Sequence, residues 1–343
     1  MSSLAPEPPR DVSLSRIEAA REALVGRVHR TPMLTSATAA RAAAAAGTSL
    51  ADGRLYAKAE HLQLTGSFKV RAARSRLAAL TTAERSAGVV TLSAGNAAQA
   101  YAWAGRDAGV AVTVVMPAAA VRSKVDACRG YGAEVVLHGA HVGETWARVQ
   151  ELVAERGLTL VHPFDDPDVI AGNGSVGLEI LEDVPDVDAV IVGVGGGGLI
   201  SGIAAAIKQV RPAVRVYGVE PEGSNAVSAA LQAGRIVTIN PVSVADGLGA
   251  PFAGEWTLPL VRRYVDGIVL LDDPTILAGL RFAAERMKQV LEPAGAAALA
   301  AVLFGRVPIR AGDRACVVLS GGNVAIDRID TLLADAAPLP AFD

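Results

Sequence analysis

The chain has 343 residues, 51% of them apolar, and a net charge of −3. Its length supports a large core divided between two domains, and its apolar content excludes disorder as the main state. The mixed charge offers no basic face to nucleic acid, and the two distant cysteines, Cys128 and Cys316, read as reduced thiols of a cytoplasmic protein.

In chain order, Met1–Val12 is polar, lacks the basic start and apolar run of a signal peptide, and reads as a loose tail. Leu64-Thr-Gly66-Ser67-Phe68-Lys69-Val-Arg71 reads as a turn opening a helix. A helix N-terminus disfavours a protonated amine, so a lysine there suits a neutral, reactive role. Lysine is scarce, with only Lys58, Lys69, Lys124, Lys208 and Lys288. Thr81-Thr82 ahead of Glu84 is a helix start. Strands are then predicted over Val89–Leu92, Val110–Met116 and Ala133–His138, alternating with helices over Ala97–Asp107, Val121–Tyr131 and Val142–Glu155. Pro117 is placed near the opening of the second of these helices. His162-Pro-Phe-Asp-Asp-Pro167 breaks the pattern and marks a crossing between domains, its acids Asp165, Asp166 and Asp168 forming a solvated turn rather than a metal site.

The alternation resumes with Ala189–Val192, Leu199–Val210, Val214–Val219 and Asn225–Ala233. It predicts an α/β fold with parallel sheets covered by helices. Ala189–Ile207 carries no charge and is long enough to span a bilayer, but its glycines favour a strand, a loop and a helix, so no membrane partner is expected. Ala336–Asp343 reads as a second loose tail, with no regulatory module expected after about Asp330.

Gly195-Gly196-Gly197-Gly198 lies where the strand gives way to the helix. Such a loop aims backbone N–H groups at an anion, and the helix dipole favours its charge, so a phosphate site is expected. Gly193-x-Gly195-x-x-Gly198 also satisfies the dinucleotide pattern, with Glu220 as the ribose-binding acid. A nicotinamide-dependent oxidoreductase is therefore the rival reading.

Three more motifs stand beside these: Ser93-Ala94-Gly95-Asn96-Ala97-Ala98-Gln99, Leu291-Glu292-Pro293-Ala-Gly295 and Leu319-Ser320-Gly-Gly-Asn323. Together with Gly66-Ser-Phe-Lys69 and the tetraglycine run, they resemble fold-type II pyridoxal-phosphate enzymes of the tryptophan synthase beta-like kind. The resemblance runs from Arg30-Thr-Pro-Met to Asn323. It is nearest to the threonine/serine dehydratases (ammonia-lyases), with serine racemase as a cousin.

That resemblance implies a large cofactor-binding domain, 1–87 and 166–343, and a small domain, 88–165, bearing the substrate carboxylate loop. It implies that Lys69 forms the internal aldimine with pyridoxal 5'-phosphate and that Phe68 packs against the pyridine ring. Asn96 would bond the phenolic oxygen, Gly195, Gly196, Gly197, Gly198 and Leu199 the phosphate, and Ser320 the pyridine nitrogen. Glu292 would lie near the ring edge, and Ser93, Ala94, Gly95, Asn96 and Ala97 would take the substrate carboxylate. A serine at the pyridine nitrogen makes a weak electron sink, suited to expelling a β-leaving group. The implied reaction is β-elimination from L-threonine or L-serine to a 2-oxo acid and ammonia, by a homo-oligomer, a dimer by resemblance.

The chain departs from the family at three places. Ala97 stands where the family has histidine, which leaves open another β-hydroxy amino acid of the hydroxyaspartate or phenylserine type. Ala94 replaces the racemase's second base, which argues against racemisation. Glu220 matches one ligand of the divalent-cation site found in some relatives, but Ala226 removes an anionic partner, so a bound divalent cation is left open.

Overall fold

The computed structural model describes residues 10–339. Ten strands form two sheets. Strands β1 (Met33–Ser36), β2 (Leu55–Lys58), β7 (Ala189–Gly193), β8 (Arg215–Pro221), β9 (Gly267–Leu271) and β10 (Ala315–Val318) make the larger, in the order β1-β2-β10-β7-β8-β9. Strands β3 (Val89–Leu92), β4 (Val112–Met116), β5 (Glu134–Leu137) and β6 (Thr159–Leu160) make the smaller, in the order β5-β4-β3-β6. Every pairing is parallel except β1 with β2 at one edge. Val190 and Val192 face one core and Ile191 the other, as a strand covered on both faces requires.

The helices follow from composition and caps. Pro293–Leu303 is rich in alanine and buried along its whole length. Thr81 and Glu84 form the expected capping box. Pro117 does not open a helix: it starts a turn closed by the Ala120 N–H on its carbonyl, and the helix begins at Arg122.

The acids of the crossing segment are not a solvated turn. Asp165 accepts the backbone N–H groups of Glu255, Trp256 and Thr257, and Asp166 caps helix Pro167–Asp183 and pairs with Arg76. Asp168 pairs with Arg16. The expected tails also pack where they are described: Val12 is buried, and Ala336 and Leu339 lie against the core. Residues 1–9 and 340–343 of those tails lie outside the described residues. Among the described residues, no helix is long and apolar enough to cross a membrane. Both cysteines are free and buried, with thiol pKa values raised by burial.

Candidate active site

Each site motif sits at the C-terminal end of a strand or the N-terminal end of a helix. Lys69 is the first residue of helix Lys69–Ala78, and Phe68 caps that helix without a side-chain hydrogen bond. The Ser93–Ala97 loop leads from β3 into helix Asn96–Ala108, whose cap residue, Gly95, has no side chain to offer. Gly195–Gly198 leads from β7 into helix Gly198–Val210, again without a side-chain cap. Uncapped helix starts leave backbone N–H groups for a ligand.

The glycine loop is held so closely that side chains are excluded. A Cβ on Gly196 would lie 2.4 Å from the Phe164 ring, and one on Gly198 2.7 Å from the Phe164 carbonyl oxygen. Gly197 takes a φ of +91°, which favours glycine. The Thr257 hydroxyl donates to the Gly196 carbonyl at 2.7 Å, fixing the loop from outside. The loop is thus a tightly packed stretch of bare backbone at a helix start.

The Lys69 amine donates to the Pro163 carbonyl at 2.8 Å and lies 5.1 Å from the centre of the Phe68 ring. Burial lowers its pKa to about 8, against a smaller upward pull from Glu292. Glu292 is itself pushed up to about 7, first by burial and then by Asp246, while the hydrogen bond from Asn96 opposes the rise. An amine and a carboxyl that both titrate near neutrality can hold or release a proton here.

Asn96 ties three motifs together. Its Nδ2 donates to Glu292 Oε1 at 2.6 Å, and its Oδ1 accepts from Asn323 Nδ2 at 2.9 Å. Gly321 lies beneath them: a Cβ there would be 2.3 Å from Glu292 Oε1. Ser320 is buried, and its carbonyl accepts the Phe68 N–H at 3.2 Å. The motifs near residues 66, 96, 292 and 320 therefore converge on one place.

Glu220 stands apart. Both its oxygens accept backbone N–H groups, from Val227 at 2.8 Å and Ser228 at 2.9 Å, so it starts a helix and is not offered to a ribose. Among the described residues there is no group of three His, Cys, Asp or Glu placed to hold a metal.

Sequence reasoning missed His162, Phe164 and the ions behind Lys69. His162 Nδ1 accepts from the N–H groups of Phe164 and Asp165, which places its proton on Nε2. Burial, with the charge of Lys69, pulls its pKa down to about 4, so it is neutral at physiological pH. Behind the Lys69 helix, buried Arg71 binds Glu60 and Glu179, and buried Lys58 binds Glu179 and Asp183. Opposite charge partners placed far apart in sequence gave no local signal.

The cradle, the depressed amine and the buried serine fit a phosphorylated aldehyde cofactor with a ring nitrogen. The family described as "Pyridoxal-phosphate dependent enzyme" matches residues 26–321. The chain is 41% identical to the L-threonine dehydratase catabolic TdcB of Escherichia coli, over 94% of this chain and 96% of that protein. It resembles the structure of maize serine racemase with a TM-score of 0.87 and 34% identity, covering 94% of this chain and 97% of that one. The threonine deaminase of T.th. is 41% identical, with a TM-score of 0.82 and coverage of 92% and 99%. With these likenesses over most of its length, the chain belongs to the pyridoxal-phosphate dependent enzymes.

Proposed function

We propose that this enzyme removes water from a β-hydroxy amino acid, L-threonine or L-serine, and releases a 2-oxo acid and ammonia. The observation that carries the reading is the pairing of a glycine loop at Gly195–Gly198, packed so that no side chain fits, with a buried, weakly basic amine at Lys69. Relatives named as threonine dehydratase and threonine deaminase, about 40% identical, support the substrate class.

The bound cofactor supplies an electron sink for the carbon that loses its proton. Lys69 would anchor it, and once displaced by the substrate amine it would take the Cα proton as a neutral base. The Gly195–Gly198 amides, with Leu199, would hold the phosphate. The Ser93–Ala97 loop would hold the substrate carboxylate, and Ser320 would bond the ring nitrogen. Glu292, held by Asn96, would lie at the ring edge. Loss of one proton from Cα and of hydroxide from Cβ gives water and an enamine. Water then hydrolyses that enamine, so the net change is amino acid to 2-oxo acid plus ammonia.

The small sheet and its helices, 88–165, would act as a small domain that closes over the large one, 1–87 and 166–343. Lys124 on the first side already reaches Asp246 on the other, at 2.8 Å. A cytoplasmic homodimer completes the reading. Ala94 offers no second base, so elimination should dominate racemisation. The test supplies L-serine and L-threonine and follows 2-oxo acid and D-serine together. Release of pyruvate or 2-oxobutanoate without comparable D-serine supports the reading, whereas D-serine at a similar rate, or no turnover of either substrate, overturns it.

A further inference from the structure

A cavity of roughly 300 Å³ lies at the rear ends of the helices that carry the active-site residues. Arg27, Arg74 and Arg85 line it, with Asp107 as the one carboxylate and Leu77 and Ala108 among its walls. Arg74 pairs with Asp107. Arg85 donates to the carbonyls of Leu77 and Ala108, at the C-terminal ends of helices Lys69–Ala78 and Asn96–Ala108. The guanidinium of Arg27 makes no hydrogen bond or ion pair among the described residues. Three guanidiniums against one carboxylate leave an excess of two formal positive charges, offset in part by the partial negative charge of the two helix C-termini.

The position matters as much as the charge. Leu77 lies eight residues along the helix that starts at Lys69, about 12 Å at 1.5 Å per residue. Asp107 lies eleven residues along the helix that starts at Asn96, about 16 Å on the same measure. The cavity therefore sits between the rear ends of the two helices whose front ends hold the cofactor lysine and the substrate loop. Its walls belong to both proposed domains. Guanidinium groups bind oxyanions through paired N–H donors, and Arg27 has all its donors unengaged.

We infer that this cavity is a binding site for a multiply charged oxyanion, a phosphate or polycarboxylate compound, whose occupancy loosens the link between the two helices and changes the affinity for substrate. Arg74 and Arg85 already link the two helices, through Asp107 and the carbonyls of Leu77 and Ala108, so an anion that draws them toward Arg27 would loosen that link, and two rigid helices carry the change to Lys69 and Asn96.

The test uses the holoenzyme, so that the phosphate cradle of the active site is already filled. Pyrophosphate and citrate are titrated separately by calorimetry at constant ionic strength, with the Arg27→Glu variant in parallel. Arg27 is exposed and lies outside the catalytic machinery, so the variant should keep its cofactor absorbance and melting temperature. The inference predicts one saturable site per chain for at least one of the two anions, weakened about tenfold or more by Arg27→Glu. It also predicts a severalfold change in KM on saturation that the variant loses. The preferred anion tells phosphate from polycarboxylate chemistry. No saturable binding, or binding that Arg27→Glu leaves untouched, refutes the site, and binding without any change in KM refutes its link to the substrate. The calorimetric arm does not depend on which amino acid is turned over, so the site and the proposed reaction fail separately.

Discussion

The titration of Lys69 can be worked through from the geometry. An ordinary lysine, with a pKa of about 10.4, is neutral in roughly one molecule in 2,500 at pH 7. With the pKa lowered to about 8 by burial, about one Lys69 in eleven is neutral at the same pH, a gain of roughly 200-fold. Capture of an aldehyde needs the neutral amine. The covalent step of cofactor uptake by the cofactor-free protein should therefore rise with pH, reach its midpoint near 8 and level off about one unit higher. Glu292 opposes the burial effect by favouring the charged amine. Glu292→Gln should move the midpoint below 8 and speed capture at pH 7, by at most about elevenfold, since the neutral fraction cannot exceed one. Because Glu292 itself titrates near 7, the wild-type curve should also be broader than that of the variant. The assay is rapid mixing from pH 6 to 9.5, read by visible absorbance. Dividing each rate by that of an alkoxyamine, neutral throughout this range, cancels the titration of the cofactor. A midpoint near 10, or an upward move in Glu292→Gln, would refute the reasoning.

Gly196→Asp puts a Cβ 2.4 Å from the Phe164 ring and a negative charge into the cradle, so cofactor affinity should fall by more than about tenfold while far-ultraviolet dichroism is unchanged. Arg71→Met leaves Glu60 and Glu179 buried without their shared cation. The loss should be on the order of 3–5 kcal/mol, which for a chain this long lowers Tm by roughly 4–7 °C in calorimetry. A shift below about 1 °C would mean that the network contributes little. Ala94→Ser should add slow D-serine formation from L-serine by supplying a hydroxyl where the chain has none, read by chiral chromatography. A variant with no gain over wild type would show that position 94 does not face the substrate carbon.

What could be read from the sequence was local. The Ser93–Gln99, Gly195–Leu199 and Gly66–Lys69 motifs each compress a turn and a helix start into a few residues, and the structure brings them together with Glu292 and Ser320. The strands and helices read from Val89 to Glu155 and from Ala189 to Ala233 were legible for the same reason, to within a residue or two at their ends, whereas strand Thr159–Leu160 and helix Pro167–Asp183 between them were not read. Strands β1, β2, β9 and β10 were not. Each is four or five residues long, and Leu55–Lys58 ends in a charge that only the distant Glu179 and Asp183 explain. His162 and Phe164 were hidden in a segment that looked like a connector, because its side chains act through the backbone and the glycine loop rather than through a motif of their own. The three aspartates beside them had the composition of a solvated turn, and only the fold reveals the helix starts that Asp165 and Asp166 cap and the ion pair of Asp168 with Arg16.

The most direct test of the account is to fix the cofactor where it sits. Borohydride reduction of the holoenzyme followed by peptide mapping should place the pyridoxyl group on Lys69. The amines of Lys58 and Lys124 are already paired with carboxylates, whereas that of Lys69 meets only the Pro163 carbonyl among the described residues. A pyridoxyl group on Lys58 or Lys124, or on no lysine at all, would contradict the central claim.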